Sequence, residues 1–276
     1  MTNFSSTYMC LVREVMDGPE EKNERTGVKI NMLAKPFAFD IDLHQGVLPV
    51  PNNRRYYPHV AAAEVAWQFM GIKDPTWILG KAPKLWSKFV EDGELKTAYG
   101  WRWREAFGRD QIAMAVSELR DNPTNRQLYI SAWNPAEDGL GEPNLPKNIP
   151  CPVGFSLTVV EGCLNLAVFI RSSDVFVGLP YDTMGYALTL DAIAASAGLK
   201  LGTLHVTLAH PHIYEPHWDF TGSGEGSRCG ISQEPNMPGW TIEMIEEAPD
   251  AYVETVKRLA SRTTRVEWDP TPEVIE

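Results

Sequence analysis

The sequence predicts an α+β fold, with helices interleaved among antiparallel hairpins, and three observations lead there. Two alternating runs, 154–160 and 164–171, are joined by Glu161-Gly162, which is the pattern of a hairpin with one buried face. Helical periodicity falls before and after the strand candidates without the regular beat of a βαβ wind. Over 276 residues, 43% are hydrophobic and 22% charged, and no linker or repeat interrupts them, so one domain spanning 1–276 is expected.

Taken in order, residues 5–16 read as a helix ended by Asp17-Gly18, and 29–41 as strands. Residues 59–70 form a long, mostly apolar helix, 110–119 another, and 128–133 a strand. After the hairpin, 184–197 is helical with Gly198 as its stop. A strand over 204–214 and a closing helix over 251–262 complete the series. Stretches 134–152 and 221–240 are rich in turn-formers and read as loops.

Charge narrows the partners. With 36 acidic and 25 basic side chains the formal charge is −11, which argues against a binder of nucleic-acid polymers. No apolar run nears the ~20 residues of a membrane span, and MTNFSSTYMC lacks a basic start followed by an apolar stretch. A soluble, cytoplasmic protein is expected. The four cysteines, Cys10, Cys151, Cys163 and Cys229, show no zinc-ligand spacing, so neither a metal site nor disulfides are expected.

Several residues are suited to chemistry. Cys151, between Pro150 and Pro152, is a directed thiol or a small buried hydrophobe; as a nucleophile it needs cations or donors nearby. Glu64 is the only acid in HVAAAEVAWQFM, so it either pairs with a cation or has a raised pKa suited to proton transfer. In RSSDVFVGLPYD, Arg171 beside Ser172 makes an anion clamp, with Asp174 and Asp182 following. Alternation puts His210 and His212 on one side of a strand, better suited to a substrate hydroxyl than to a metal.

The order of these pieces resembles the thymidylate synthase family over about 8–272. The matching blocks are KNERTG (22–27), AEVAWQFMG (63–71), YGWRWR (99–104), SAWN (131–134), PC (150–151), RSSDVFVGLPYD (171–182) and HIYEPH (212–217). The resemblance implies a thymidylate synthase-like α+β domain, homodimeric through its large sheet, with 5,10-methylenetetrahydrofolate as co-substrate. It makes Cys151 the nucleophile at C6 of a pyrimidine, and Glu64 the carboxylate that organises water and relays protons. Arg25, Arg171 and Ser172 become phosphate ligands, with Arg126 supplied to the partner's site. His212 and Tyr214 hold the sugar hydroxyl, Trp86 and Asp174 lie beside the folate, and Tyr99 near the reacting ring.

Departures from the family pattern point to the substrate. Asp182 stands where thymidylate synthases carry the Asn that reads uracil. A carboxyl accepts from the 4-amino group of cytosine and shares a proton with N3, whereas uracil O4 against a carboxylate costs about 1–3 kcal/mol. This resembles the deoxycytidylate hydroxymethylases of phages, with dCMP as substrate and CMP the nearer rival than dUMP. Gln127, Pro152, Ala209 and His210 also depart from the pattern. The sequence ends at PTPEVIE without the apolar closing tail of the synthases, so water is expected to reach the methylene intermediate and give 5-hydroxymethyl-dCMP. The alternatives are reduction to 5-methyl-dCMP with release of dihydrofolate, and an inactive homologue serving as a binding subunit.

Overall fold

The computed structural model describes residues 4–24, 26–51, 56–140, 148–221 and 236–261. The expectations for Arg25, Cys229 and the carboxy-terminal segment lie outside the described residues. The elements in chain order are α1 (Phe4–Met16), β1 (Glu20–Lys22), β2 (Lys29–Met32), β3 (Phe37–Asp42), α2 (Pro58–Met70), α3 (Thr76–Leu79), α4 (Pro83–Trp86), α5 (Tyr99–Arg104) and α6 (Gln111–Asp121). Then follow β4 (Tyr129–Ser131), β5 (Pro152–Val160), β6 (Cys163–Ile170), β7 (Ser173–Asp174), α7 (Gly178–Ala197), β8 (Lys200–Leu208), β9 (Pro211–Tyr214), α8 (Trp218–Thr221), α9 (Ile242–Glu247) and α10 (Pro249–Ser261). None of the described helices is long and apolar enough to cross a membrane.

Two mixed sheets carry the fold, as the α+β expectation requires. One has the order β3-β8-β6-β5-β4, the other β1-β2-β9-β7. Among the described strands, only β6 with β8 and β7 with β9 run parallel. The hairpin of β5 and β6 turns at Glu161 and Gly162, both with positive φ, and pairs Val160 with Cys163. Pro152 opens β5, a position where a strand tolerates a missing N–H.

Helices α2 and α7 form the core behind the sheets. Ala61, Ala62, Ala63, Val65, Ala66, Trp67 and Phe69 of α2 are all buried, because the helix lies between α7 and α10 and has no solvent face. Proline starts it, and Gly71 ends it in the left-handed region at φ 67°. Helix α7 ends the same way at Gly198, the predicted stop. It begins at Gly178, six residues before the expected start, because a proline in the first turn costs no intrahelical hydrogen bond. Asp182 is therefore on a helix.

One correction determines where the site lies. The expected single strand over 204–214 is two strands in two sheets, broken at Ala209-His210, and His210 is outside β9. Chain continuing from β6 makes the same crossing beside it: Ala209 N–H donates to Ile170 O (2.9 Å) and Ser173 N–H to His210 O (3.1 Å). Two adjacent parallel strands thus leave one sheet and enter the other together. The seam they leave holds Arg171, Ser172, His210 and His212.

Candidate active site

Cys151 sits at the edge of this seam, one residue before β5, and its carbonyl accepts from Arg171 N–H (2.9 Å). The Arg171 guanidinium folds back over the cysteine loop, donating to Pro150 O (2.8 Å) and Ile149 O (3.0 Å), with Nη2 3.8 Å from Cys151 Sγ. This meets the need for a cation near the thiol. The Tyr99 hydroxyl accepts from Cys151 N–H at 3.4 Å, and Thr97 Oγ1 donates to the Asn148 carbonyl, so the start of α5 also braces the loop.

Glu64 has the raised pKa and, among the described residues, no cation paired with it. Trp86, 7% exposed, donates its indole N–H to Glu64 Oε1 at 2.9 Å. Burial, reinforced by the negative charge of Asp182, pushes the Glu64 carboxyl up to about 8 against the lowering effect of that hydrogen bond. Asp182 is pushed up to about 7 by burial and then by Asp174. Burial, with Cys151 and Asp182 nearby, raises the Tyr99 hydroxyl well above its usual range. Helices α2, α5 and α7 and the loop before β5 therefore bring Glu64, Tyr99, Asp182 and Cys151 into one electrostatic neighbourhood.

The phosphate and sugar candidates lie next to it. A cavity of about 390 Å³ is lined by Asn23, Ile30, Met32, Arg171, Ser172, His210 and His212. His212 is 6% exposed, and its Nδ1 is 3.0 Å from the His210 carbonyl. A carbonyl only accepts, so Nδ1 carries the proton and Nε2 is an acceptor. Nε2 is buried with no partner among the described residues, an arrangement suited to a ligand hydroxyl. The Tyr214 ring packs edge-on against His212, 5.0 Å between centres.

Asp174 ends β7, and its Oδ1 accepts from Phe176 N–H (3.0 Å) and Val177 N–H (3.1 Å), shaping the approach to α7. The other oxygen, Oδ2, makes no such bond among the described residues and can accept further hydrogen bonds. Arg126 is exposed between α6 and β4 and is not among the residues lining the cavity. A second cavity, about 550 Å³, lies on the outer face of the five-stranded sheet among Thr158, Asn165, Thr203 and His205, away from these residues. Among the described residues, no group of three or more His, Cys, Asp or Glu is placed to hold a metal.

Sequence reasoning missed Trp133, whose ring lies 5.7 Å from the Arg171 guanidinium carbon, and the part of Asn23 in the cavity wall. It also missed the bond that ties Trp86 to Glu64. Only the SAWN and KNERTG blocks drew attention to Trp133 and Asn23, and neither says what the residue touches.

Comparison with known proteins agrees with the geometry. The family model described as thymidylate synthase matches residues 6–243. A thymidylate synthase of Corynebacterium aurimucosum is 30% identical over 223 residues, covering 78% of this chain and 80% of that protein.

Proposed function

This chain belongs to the thymidylate synthase family, and we propose that it converts dCMP, 5,10-methylenetetrahydrofolate and water to 5-hydroxymethyl-dCMP and tetrahydrofolate. Folate-dependent one-carbon transfer to C5 of a pyrimidine nucleotide comes with the family. The base and the fate of the transferred carbon are the proposal.

Asp182 is the observation that carries it. Its carboxyl, pushed up to about 7, holds a proton for much of the time at neutral pH, beside Glu64 and Tyr99. A neutral carboxyl donates to cytosine N3 while its other oxygen accepts from the 4-amino group. As a nucleophile adds to C6, electron density moves to N3, a basic nitrogen that takes the proton readily. Uracil presents O4, much less basic than that nitrogen, so the same proton stabilises its adduct less, and the ionised fraction of Asp182 repels it.

In this reading the Cys151 thiolate, with Arg171 beside it, forms the S–C6 bond and turns C5 into a carbon nucleophile. Bound methylenetetrahydrofolate would supply the one-carbon unit and leave as tetrahydrofolate, its bond to that carbon breaking as the C5 proton is lost. Glu64, fixed by Trp86, works with Tyr99 to remove the C5 proton and orient water onto the exocyclic carbon, and expulsion of Cys151 releases product. Arg25, Arg171 and Ser172 take the phosphate, while His212 Nε2 and Tyr214 take the sugar hydroxyl. Asp174 Oδ2 suits the N–H donors of a pterin ring, and the Trp86 indole, close to Glu64, suits its flat face. A second copy of the chain packs on the outer face of the five-stranded sheet and brings Arg126, exposed beside β4, to the neighbouring phosphate.

The test is to incubate the protein with dCMP and methylenetetrahydrofolate and weigh the product. Recovery of 5-methyl-dCMP with dihydrofolate contradicts the hydration step. Turnover of dUMP with none of any cytidylate contradicts the role given to Asp182.

A further inference from the structure

Arg102 of α5 and Asp138 form a bidentate ion pair in the interior, with Nη1 to Oδ2 at 3.0 Å and Nη2 to Oδ1 at 3.1 Å. Their side chains are 1% and 0% exposed. Such a pair is a poor way to stabilise a core, because desolvating both charges offsets what their attraction returns, and apolar residues of equal volume do as well or better. Its effect is better sought in what the two groups hold in place.

Both hold backbone on either side of one residue. Arg102 Nη1 also donates to Ala132 O (3.4 Å), and Asp138 Oδ2 accepts from Asn134 N–H (2.7 Å). Between them is Trp133, whose N–H donates to Val153 O (3.1 Å), two residues beyond Cys151, and whose carbonyl accepts from Ser131 Oγ (3.0 Å). Gly139, next to Asp138, lies close against the indole: a Cβ there would be 3.2 Å from Trp133 Cη2. The Arg171 guanidinium lies 5.7 Å from the ring centre, within cation–π range. The same guanidinium caps Ile149 O and Pro150 O and reaches Cys151 Sγ.

We propose that the buried Arg102–Asp138 pair is a positioning device that fixes Trp133 as the support for Arg171, and so sets the guanidinium between the thiol and the phosphate cavity. The proposal rests on the roles given above to Cys151 and Arg171. Neither member of the pair touches substrate, and both act through the indole.

Three variants test it: Arg102→Met with Asp138→Leu, which makes the pair apolar; Trp133→Leu, which removes the ring; and Trp133→Phe, which keeps one. The measurements are the alkylation rate of Cys151 by iodoacetamide in nucleotide-free protein, mapped by mass, and KM and kcat for whichever pyrimidine nucleotide the parent protein turns over. The paired variant and Trp133→Leu should each raise KM about tenfold or more and slow alkylation in step, with kcat less affected. Trp133→Phe should recover most of both. Folded variants with parental KM and alkylation rate overturn the proposal, as does a Trp133→Phe no better than Trp133→Leu. If the paired variant does not fold, the two Trp133 variants decide alone. A parent that prefers dUMP refutes the assigned substrate and leaves this comparison intact, whereas full activity with Cys151 blocked refutes the nucleophile.

Discussion

In the proposed function, Asp182 is a carboxylic acid kept neutral so that it can donate a proton to a basic ring nitrogen. Burial and the charge of Asp174 push it up to about 7, and burial with the charge of Asp182 pushes Glu64 up to about 8. Two carboxyls this close share their ionisation, so the neighbourhood loses its protons in steps that belong to the pair. If the acid form is the working form, as proposed, kcat/KM for dCMP should fall as pH rises through about 7 to 8, and Asp182→Asn should alter that limb; a pH–rate profile of both proteins checks this. Asp182→Asn should also shift preference from dCMP toward dUMP by about 10- to 100-fold, read by competition between the two nucleotides. Cys151→Ala should bind nucleotide and show no turnover; retained activity would remove the covalent route.

At the level of elements, the site depends on α5 crossing α2 at very short range. A Cβ on Gly100 would fall 1.9 Å from Gln68 O, a backbone atom of α2 that cannot move aside cheaply. Gly100→Ala should therefore cost about 2–3 kcal/mol of stability, seen as a lower Tm, and lower kcat as Tyr99 is lifted from the Cys151 loop. The long elements were legible in the sequence because their signals are local. The apolar run of α2, Gly198 after α7 and Glu161-Gly162 in the hairpin each act within a few residues. The break at Ala209-His210 was not legible, because an alternating pattern does not record a change of sheet. Nor was the early start of α7, since Gly-Leu-Pro reads as a turn until a preceding segment supports it. Cys151, Glu64, Tyr99 and Asp182 stood out as candidates through ordered motifs, but the bonds around them did not. Trp86 reaches Glu64 across 22 positions, Arg171 reaches Cys151 across 20, and Arg102 reaches Asp138 across 36.

The whole molecule carries a formal charge of −11, and the proposed function asks it to hold a dianionic phosphate. Local arginines resolve this, because screening confines surface fields to about 8 Å at physiological salt, while Arg171 lines the cavity itself. The acidic groups inside also leave a mark on stability. Glu64 rises from 4.5 to about 8, and Asp191, whose carboxylate accepts from Gly239 N–H at 2.8 Å, rises from 3.8 to about 6. A folded-state pKa above the unfolded value means that the native protein binds more protons across that window, so stability falls as pH rises through it. Nucleotide-free protein should accordingly melt at a higher temperature at pH 5.5 than at pH 8.5, and Glu64→Gln should flatten the difference. Thermal melts across that range check both statements.

Whether the buried acid on α7 selects cytosine, and whether water completes the reaction, are both read from one competition assay. Equal dCMP and dUMP are offered with methylenetetrahydrofolate, and the products are identified by mass. 5-Hydroxymethyl-dCMP should be the main product, with dUMP largely unspent. Thymidylate as the main product, with dCMP untouched, would contradict both readings.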